Sequence, residues 1–363
     1  MERSPFPYQG PLRADEVTGR DELRRDLAER LMQRRVTALL GPRRYGKTSV
    51  IRRVTTDLAA VGPDTVWIDF FGLTSLADVA SALDRGLAAT TGRIRRVLDS
   101  VAGGVSLQLG VIGIELTKAK RHRPDPVALI WSLLDVLVTT AERQDIVVVF
   151  DEFSGLANAE GATAILRTAL QHHYRDMGIV FAGSDPSTMR LLFSDRAQPF
   201  FAQADLIEIG PLTDDELTSI VEAGFDATGR AIGTVTGRLV ALADGHPQRG
   251  MQLADALWQR TDIGSSADAT TWEAALADVR STVDGGFERL HSLLPPGHQK
   301  TLRVVAGGGS IYGTAADTVD LAPGTASAAV EALVGNGFIH RDGHDLTVID
   351  PLMADWLRRR FPV

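Results

Sequence analysis

The octapeptide Gly41-Pro42-Arg43-Arg44-Tyr45-Gly46-Lys47-Thr48 constrains this chain more than any other stretch. It fits the pattern GxxxxGK[ST], follows the apolar run 36–40 and opens a helical pattern. A strand, a glycine-rich turn and a helix are therefore required in that order. Glycine lets the backbone wrap its N–H groups around a phosphate, and the helix N-terminus adds a favourable dipole. Lys47 is predicted to bridge the β- and γ-phosphates of a nucleotide, and the Thr48 hydroxyl to ligate Mg²⁺. With Ser49, these eight residues are the expected phosphate-binding stretch. Composition adds weight to the lysine. Of 38 basic side chains only four are lysines, namely Lys47, Lys118, Lys120 and Lys300. Arg replaces Lys on a surface but not at every chemical site, and Lys47 stands where a compact point charge is needed.

A second motif supplies the partner. Ile146-Val147-Val148-Val149-Phe150 ends in Asp151-Glu152, which places two carboxylates at the C-terminal edge of a buried strand, where open α/β sheets bind ligands. Asp151 is the expected second Mg²⁺ ligand, and Glu152 the group that orients and deprotonates an attacking water. Alone, such a pair is ordinary loop chemistry; downstream of a P-loop it reads as catalytic. Competing P-loop classes fall away. The guanine-reading Asn-Lys-x-Asp motif is absent, since the only asparagines, Asn158 and Asn336, precede Ala159 and Gly337. No LSGGQ-like helix start occurs, and small-molecule kinases usually lack the second carboxylate. ATP is the expected nucleotide, with ADP as product.

The rest of the chain fits an α/β class with a largely parallel sheet. Strands are predicted over 36–40, 65–70, 146–150, 178–182 and 206–209, with helices over 21–35, 47–60, 76–100, 126–143 and 161–174. An alternating stretch, 103–117, reads as an inserted hairpin. After Pro211 the strands stop, and three or four helices run to about 292, broken at Gly245-His246-Pro247. The tail reads helix, helix, helix, hairpin, helix, which is a winged-helix pattern. The expected domains are a P-loop ATPase core over 1–211, a helical lid over 212–292 and a winged-helix domain over 293–363. The absence of cysteine excludes disulfide scaffolds, Cys-ligated zinc and thiol catalysis. Neither a signal-peptide core nor an apolar run of membrane length is present, so a cytoplasmic protein with no membrane partner is expected. A formal net charge of −8 argues against non-specific nucleic-acid binding.

Taken in order, the motifs resemble the archaeal-type ATPases of the STAND group within the AAA+-like P-loop NTPases. Phe6-Pro7-Tyr8-Gln9-Gly10-Pro11 and Thr18-Gly19-Arg20-Asp21-Glu22-Leu23 look like that family's N-terminal signature. The resemblance implies that Gly19 and Arg20 lie over base and phosphates. It also implies that Ser184, in Ala182-Gly183-Ser184, is the polar sensor, and that Pro247 of the GxP turn packs near adenine. Asp151-Glu152-Phe153 matches the family's Walker B ending, and Ile349-Asp350-Pro351-Leu352 through Arg358 resembles the end of its winged-helix domain. The chain departs from the family at 199–204. There Ala202-Gln203 replaces the Gly-Arg pair that is a candidate arginine finger, which implies slow hydrolysis. Arg196 and Arg249 are alternative finger and sensor candidates.

Other features weigh less. His172-His173 lacks a third metal ligand at helical spacing and reads as a surface pair. Lys118, Lys120, Arg121, His122 and Arg123 form a basic cluster after the inserted hairpin. The expected recognition helix, 324–336, contains Glu331 and no Lys or Arg, which disfavours base-edge and phosphate contacts. The leading expectation is an ATP-dependent switch that acts through a protein partner or self-association. The alternatives are a DNA-binding ATPase built like replication initiators and a nucleotide-binding scaffold without significant turnover.

Overall fold

The computed structural model describes residues 2–104 and 125–363. Apart from residues 103 and 104, the expected hairpin lies outside the described residues, as does the basic cluster of Lys118, Lys120, Arg121, His122 and Arg123. Five described strands form one parallel sheet in the order β2-β3-β4-β1-β5. They are β1 (Val36–Leu40), β2 (Asp64–Asp69), β3 (Ile146–Asp151), β4 (Gly178–Ala182) and β5 (Asp205–Glu208). In register, Leu39 of β1 lies beside Ala182 of β4, and Phe150 of β3 beside Phe181 of β4. Because β4 separates β1 from β3, the residues that follow β4 are interposed between the loop after β1 and the carboxylates ending β3.

The near-continuous apolar strands are explained by burial on both faces. Along β3, Ile146, Val148 and Phe150 face one core while Val147 and Val149 face the other. The second core is closed by Leu27 and Leu31 of α1 (Asp21–Met32) and by Val50, Ile51 and Val54 of α2 (Lys47–Ala59). The first is closed by α3 (Leu76–Ala88), α4 (Gly92–Gly104), α5 (Pro126–Arg143), α6 (Ala162–Leu170) and α7 (Pro186–Ser194). Within it Phe70, Phe150, Phe153, Phe181, Phe193 and Phe200 pack ring against ring. Their contacting centroids lie between 4.4 and 6.3 Å apart. This aromatic block anchors the ends of β2, β3 and β4, where the candidate site lies. The single helix predicted over 76–100 is two helices. Between them the Thr90 hydroxyl donates to the Leu87 carbonyl at 2.7 Å, and the chain turns.

Four helices follow β5: α8 (Asp214–Asp226), α9 (Thr236–Ala243), α10 (Pro247–Gln259) and α11 (Ala269–Ser292). Thr213 starts α8 with a capping box closed by Glu216. The tail forms α12 (Pro296–Ala306), α13 (Thr314–Thr318) and α14 (Pro323–Gly335). An antiparallel hairpin, β6 (Ile339–Asp342) and β7 (Asp345–Val348), and then α15 (Pro351–Arg360) complete it. Asp185, His246 and Asp350 each cap a helix whose first residue is proline, so the side chain fixes the entry and proline presets the first turn. Buried apolar residues from Leu212 to Leu357, joined by Phe6 from the N-terminal segment, form one hydrophobic cluster. Among the described residues no helix is long and apolar enough to cross a membrane.

Candidate functional site

The P-loop connects β1 to α2. Gly41 leaves the strand with φ 151°, and a Cβ there would lie 2.3 Å from Ile209 Cγ2, so no larger residue fits this corner. At the far end Gly46, with φ 90°, presents the N-terminus of α2 to the loop interior. The Lys47 ammonium is buried and donates to the carbonyls of Gly41 (2.6 Å) and Pro42 (2.7 Å). Burial lowers its pKa to about 8, opposed by the charges of Glu152 and Asp151, while Arg43 and Arg20 push the same way as burial. The Ser49 hydroxyl is turned away from the loop and accepts from the Leu12 N–H at 3.0 Å. Pro42 is half-buried, and Arg44 is exposed with φ 67°.

The carboxylates expected from β3 converge on this loop. Thr48 Oγ1 donates to Asp151 Oδ2 at 3.0 Å, although the two residues belong to different elements. Asp151 is 6% exposed, and burial raises its carboxyl to about 6 against the Thr48 and Glu152 hydrogen bonds. A neighbouring cation is what would hold it ionised. A hydroxyl and a carboxylate side by side are hard oxygen donors, which fit Mg²⁺. Glu152 takes a left-handed conformation (φ 50°) that turns its side chain toward the end of β4. There its Oε2 accepts from Ser184 Oγ at 2.6 Å and from the Ser184 N–H at 3.3 Å. The strand order accounts for this pairing, because β4 brings Ser184 between the P-loop and β3. A carboxylate held this way is oriented to accept a proton from a water on its free oxygen.

A cavity of about 240 Å³ opens beside Glu152 and Ser184. Arg43, Phe70, Phe71 and Asp185 contribute to its walls. Phe71 and Asp185 carried no motif in the sequence, and only the tertiary fold assembles them here.

On the other side of the loop lie the N-terminal segment and the helices after β5. Gly19 and Arg20 both have positive φ. The Arg20 N–H donates to Glu216 Oε1 at 2.6 Å, and its guanidinium donates to the Gly210 carbonyl at 2.8 Å. Burial lowers the Arg20 pKa to about 10. The role of Glu216 was missed, although its capping-box position in Thr213-Asp-Asp-Glu216 marked it as ordered. Tyr45 packs edge-on against His246, with centroids 5.0 Å apart, and burial pushes its hydroxyl up to about 12. Pro247 is the first residue of α10, next to that contact. Arg249, two residues further on, is engaged by partners outside the loop. Its Nε lies 3.0 and 3.1 Å from the two Asp350 carboxylate oxygens, and its Nη1 donates to Gln252 Oε1 at 2.6 Å. Gln203, at the expected finger position, donates to the nearby Phe201 carbonyl. The expected sites therefore gather around one loop, with Ser49 turned outward and Arg249 engaged elsewhere. Arg20, Arg44 and Glu152 are among the few non-glycine residues of positive φ, so backbone strain is concentrated here.

The sequence matches no protein-family model and none of the curated proteins. Solved structures do match. The Walker-type ATPase of Pyrococcus abyssi is similar over 98% of this chain and 99% of its own, with TM-score 0.73 and 20% identity. The ORC2 protein of Aeropyrum pernix, solved as ADPNP–ADP complexes, is similar over 98% of this chain and 96% of its own, at TM-score 0.60 and 14% identity. The ORC1 protein of the same organism, solved in complex with DNA, covers 95% of this chain and 93% of its own, at TM-score 0.51 and 14% identity. The fold is that of the AAA+-like P-loop NTPases. At these identities the likeness concerns the path of the chain. The chemistry rests on the loop, carboxylates and serine described above.

Proposed function

We propose that this chain is a cytoplasmic, ATP-binding switch of the STAND type that hydrolyses ATP slowly and moves a winged-helix domain between two positions. In this division residues 1–211 are the ATPase core, 212–292 the lid and 293–363 the winged-helix domain. The observation that carries the reading is the assembly of Thr48 with Asp151, and of Glu152 with Ser184, on the rim of one P-loop. Gly41 to Thr48 hold the phosphates, with Lys47 exchanging its loop carbonyls for phosphate oxygens, and Gly19, Arg20 and Pro247 border the nucleotide. Thr48 and Asp151 would hold Mg²⁺, which would neutralise phosphate charge. Glu152 accepts the proton of a water that attacks the γ-phosphorus. The bond to the β–γ bridging oxygen breaks, and ADP and phosphate leave. Ser184 keeps the Glu152 carboxylate in place. Tyr45 against His246, and Arg249 on Asp350, supply a material path from the loop through the lid to the tail, where a partner protein or a second copy would bind.

Phosphate release is the test. Wild type should turn over slowly. Glu152→Gln should lower kcat by about 10²–10⁴, the usual worth of a general base, while leaving ATP affinity near wild type. Lys47→Ala should abolish binding. Undiminished turnover in Glu152→Gln overturns the assignment of the base, and tight binding with no release in wild type leaves a scaffold.

A second reading, a DNA-binding ATPase, is favoured by the fold shared with the ORC1 protein solved on DNA. Against it, the exposed face of α14 offers Thr325, Ser327, Ala328 and Glu331, and Glu331 is paired with Arg341 at 2.8 Å. DNA affinity that falls steeply with salt would support this reading, and no binding at low salt would remove it.

A further inference from the structure

Two adjacent arginines on the P-loop serve different surroundings. The charge of Arg44 bears on His246, toward the lid, whereas that of Arg43 bears on Lys47. Arg43 also lines the cavity that contains Glu152 and Ser184. Among the described residues no hydrogen bond or ion pair engages the Arg43 guanidinium. The other acid in the cavity wall, Asp185, is occupied. Its carboxylate accepts from the N–H groups and hydroxyls of Ser187 and Thr188 as the cap of α7. Of the other cations considered for the reaction, Arg249 is bound to Asp350 and Arg20 to the Gly210 carbonyl on the lid side, Arg196 is exposed and does not line the cavity, and the expected finger position holds Gln203.

We propose that Arg43, carried on the P-loop of the same subunit, supplies the cation that neutralises the transferred γ-phosphoryl group, in the role a neighbouring subunit's arginine would otherwise fill. The inference rests on the hydrolysis proposed above. As the water oxygen bonds to the γ-phosphorus and the bridging oxygen departs with ADP, charge spreads over the three equatorial oxygens. A guanidinium offers two parallel donors to such oxygens, and from the loop it needs no second subunit to arrive. The ligand of the cavity is thus the γ-phosphate, with Arg43 and Glu152 both in the wall that receives it.

The experiment measures kcat and nucleotide affinity separately for wild type, Arg43→Ala and Arg43→Lys. Arg43 is exposed and, among the described residues, makes no hydrogen bond or ion pair, so the fold is not at risk, and retained ATP affinity would show the variant to be folded. Arg43→Ala should lose at least tenfold in kcat with affinity changed less than threefold, and Arg43→Lys should recover part of the loss. Specific activity should not rise with protein concentration. Mixing Arg43→Ala with Lys47→Ala, which keeps Arg43 but cannot bind ATP, should restore nothing at any ratio. Wild-type kcat in Arg43→Ala, or recovery on mixing, overturns the inference while hydrolysis itself stands. Absence of phosphate release from wild type removes the hydrolytic reading and the inference together.

Discussion

At the scale of single residues, His246 has the most exacting environment of any histidine described. It is 2% exposed, it caps α10 by accepting from the Arg249 N–H at 3.3 Å, and it packs against Tyr45. Burial lowers its pKa to about 4, Asp350 works against that, and Arg249 and Arg44 reinforce it. Because the folded-state value lies below the ordinary 6.5, folding favours the neutral ring. Stability from this group is complete above about pH 6.5 and is lost as pH falls toward 4. At 1.36 kcal/mol per unit the loss is roughly 3 kcal/mol. His246→Asn keeps a capping acceptor and removes the titration. Urea unfolding at pH 7 and pH 4.5 should show wild type losing about 2–3 kcal/mol more than His246→Asn. The carboxylates titrate in both proteins and cancel in the difference, so equal losses would remove His246 as the source.

At the scale of elements, two glycines in helices should respond to the same substitution with opposite signs. Gly86 in α3 lies against β2, and a Cβ there would stand 2.6 Å from the Trp67 carbonyl oxygen and 2.7 Å from Ile68 Cγ1. Gly286 in α11 has nothing within 4 Å. Gly86→Ala should cost about 1–3 kcal/mol by forcing helix and strand apart, while Gly286→Ala should add about 0.5–1 kcal/mol through helix propensity. Thermal midpoints of the two variants give the check. The sequence held half of this contrast, since both glycines sit in helical patterns and only the approach of α3 to β2 separates them. The same division runs through the whole fold. The P-loop and the acidic end of β3 were legible because each is written in contiguous residues whose spacing carries the chemistry. The break between α3 and α4 was not, because apolar periodicity continues across Thr90, while the turn is made by Thr90 bonding back to Leu87 and by the positive φ of Gly92. Arg249 was read as a sensor candidate because its place after Pro247 is local information. Its bond to Asp350 joins residues 101 apart in the chain, and no spacing rule reports that.

At the scale of the whole molecule, the bonds that tie α10 and α11 to the tail bear on how the chain unfolds. Arg280 holds Asp355 through Nε at 3.0 Å and Nη2 at 2.8 Å, Arg249 holds Asp350, and the side chains of Trp258, Trp272 and Trp356 share one apolar cluster. Removing either partner of a largely buried ion pair costs a few kcal/mol, so the two units stabilise each other by more than contact area alone. The switch proposed above would have to break this interface in one step rather than loosen it gradually, since a partly opened interface would leave Arg249 and Asp350 desolvated and unpaired. Cooperative unfolding is the equilibrium signature of that coupling. Single-tryptophan variants retaining only Trp258 in α10 or only Trp356 in α15, the others replaced by Phe, should give urea transitions with the same midpoint. A Trp356 transition at clearly lower urea would mean that residues 293–363 unfold on their own. The ion pairs would then be a loose contact, and any nucleotide signal would have to reach the tail by another route.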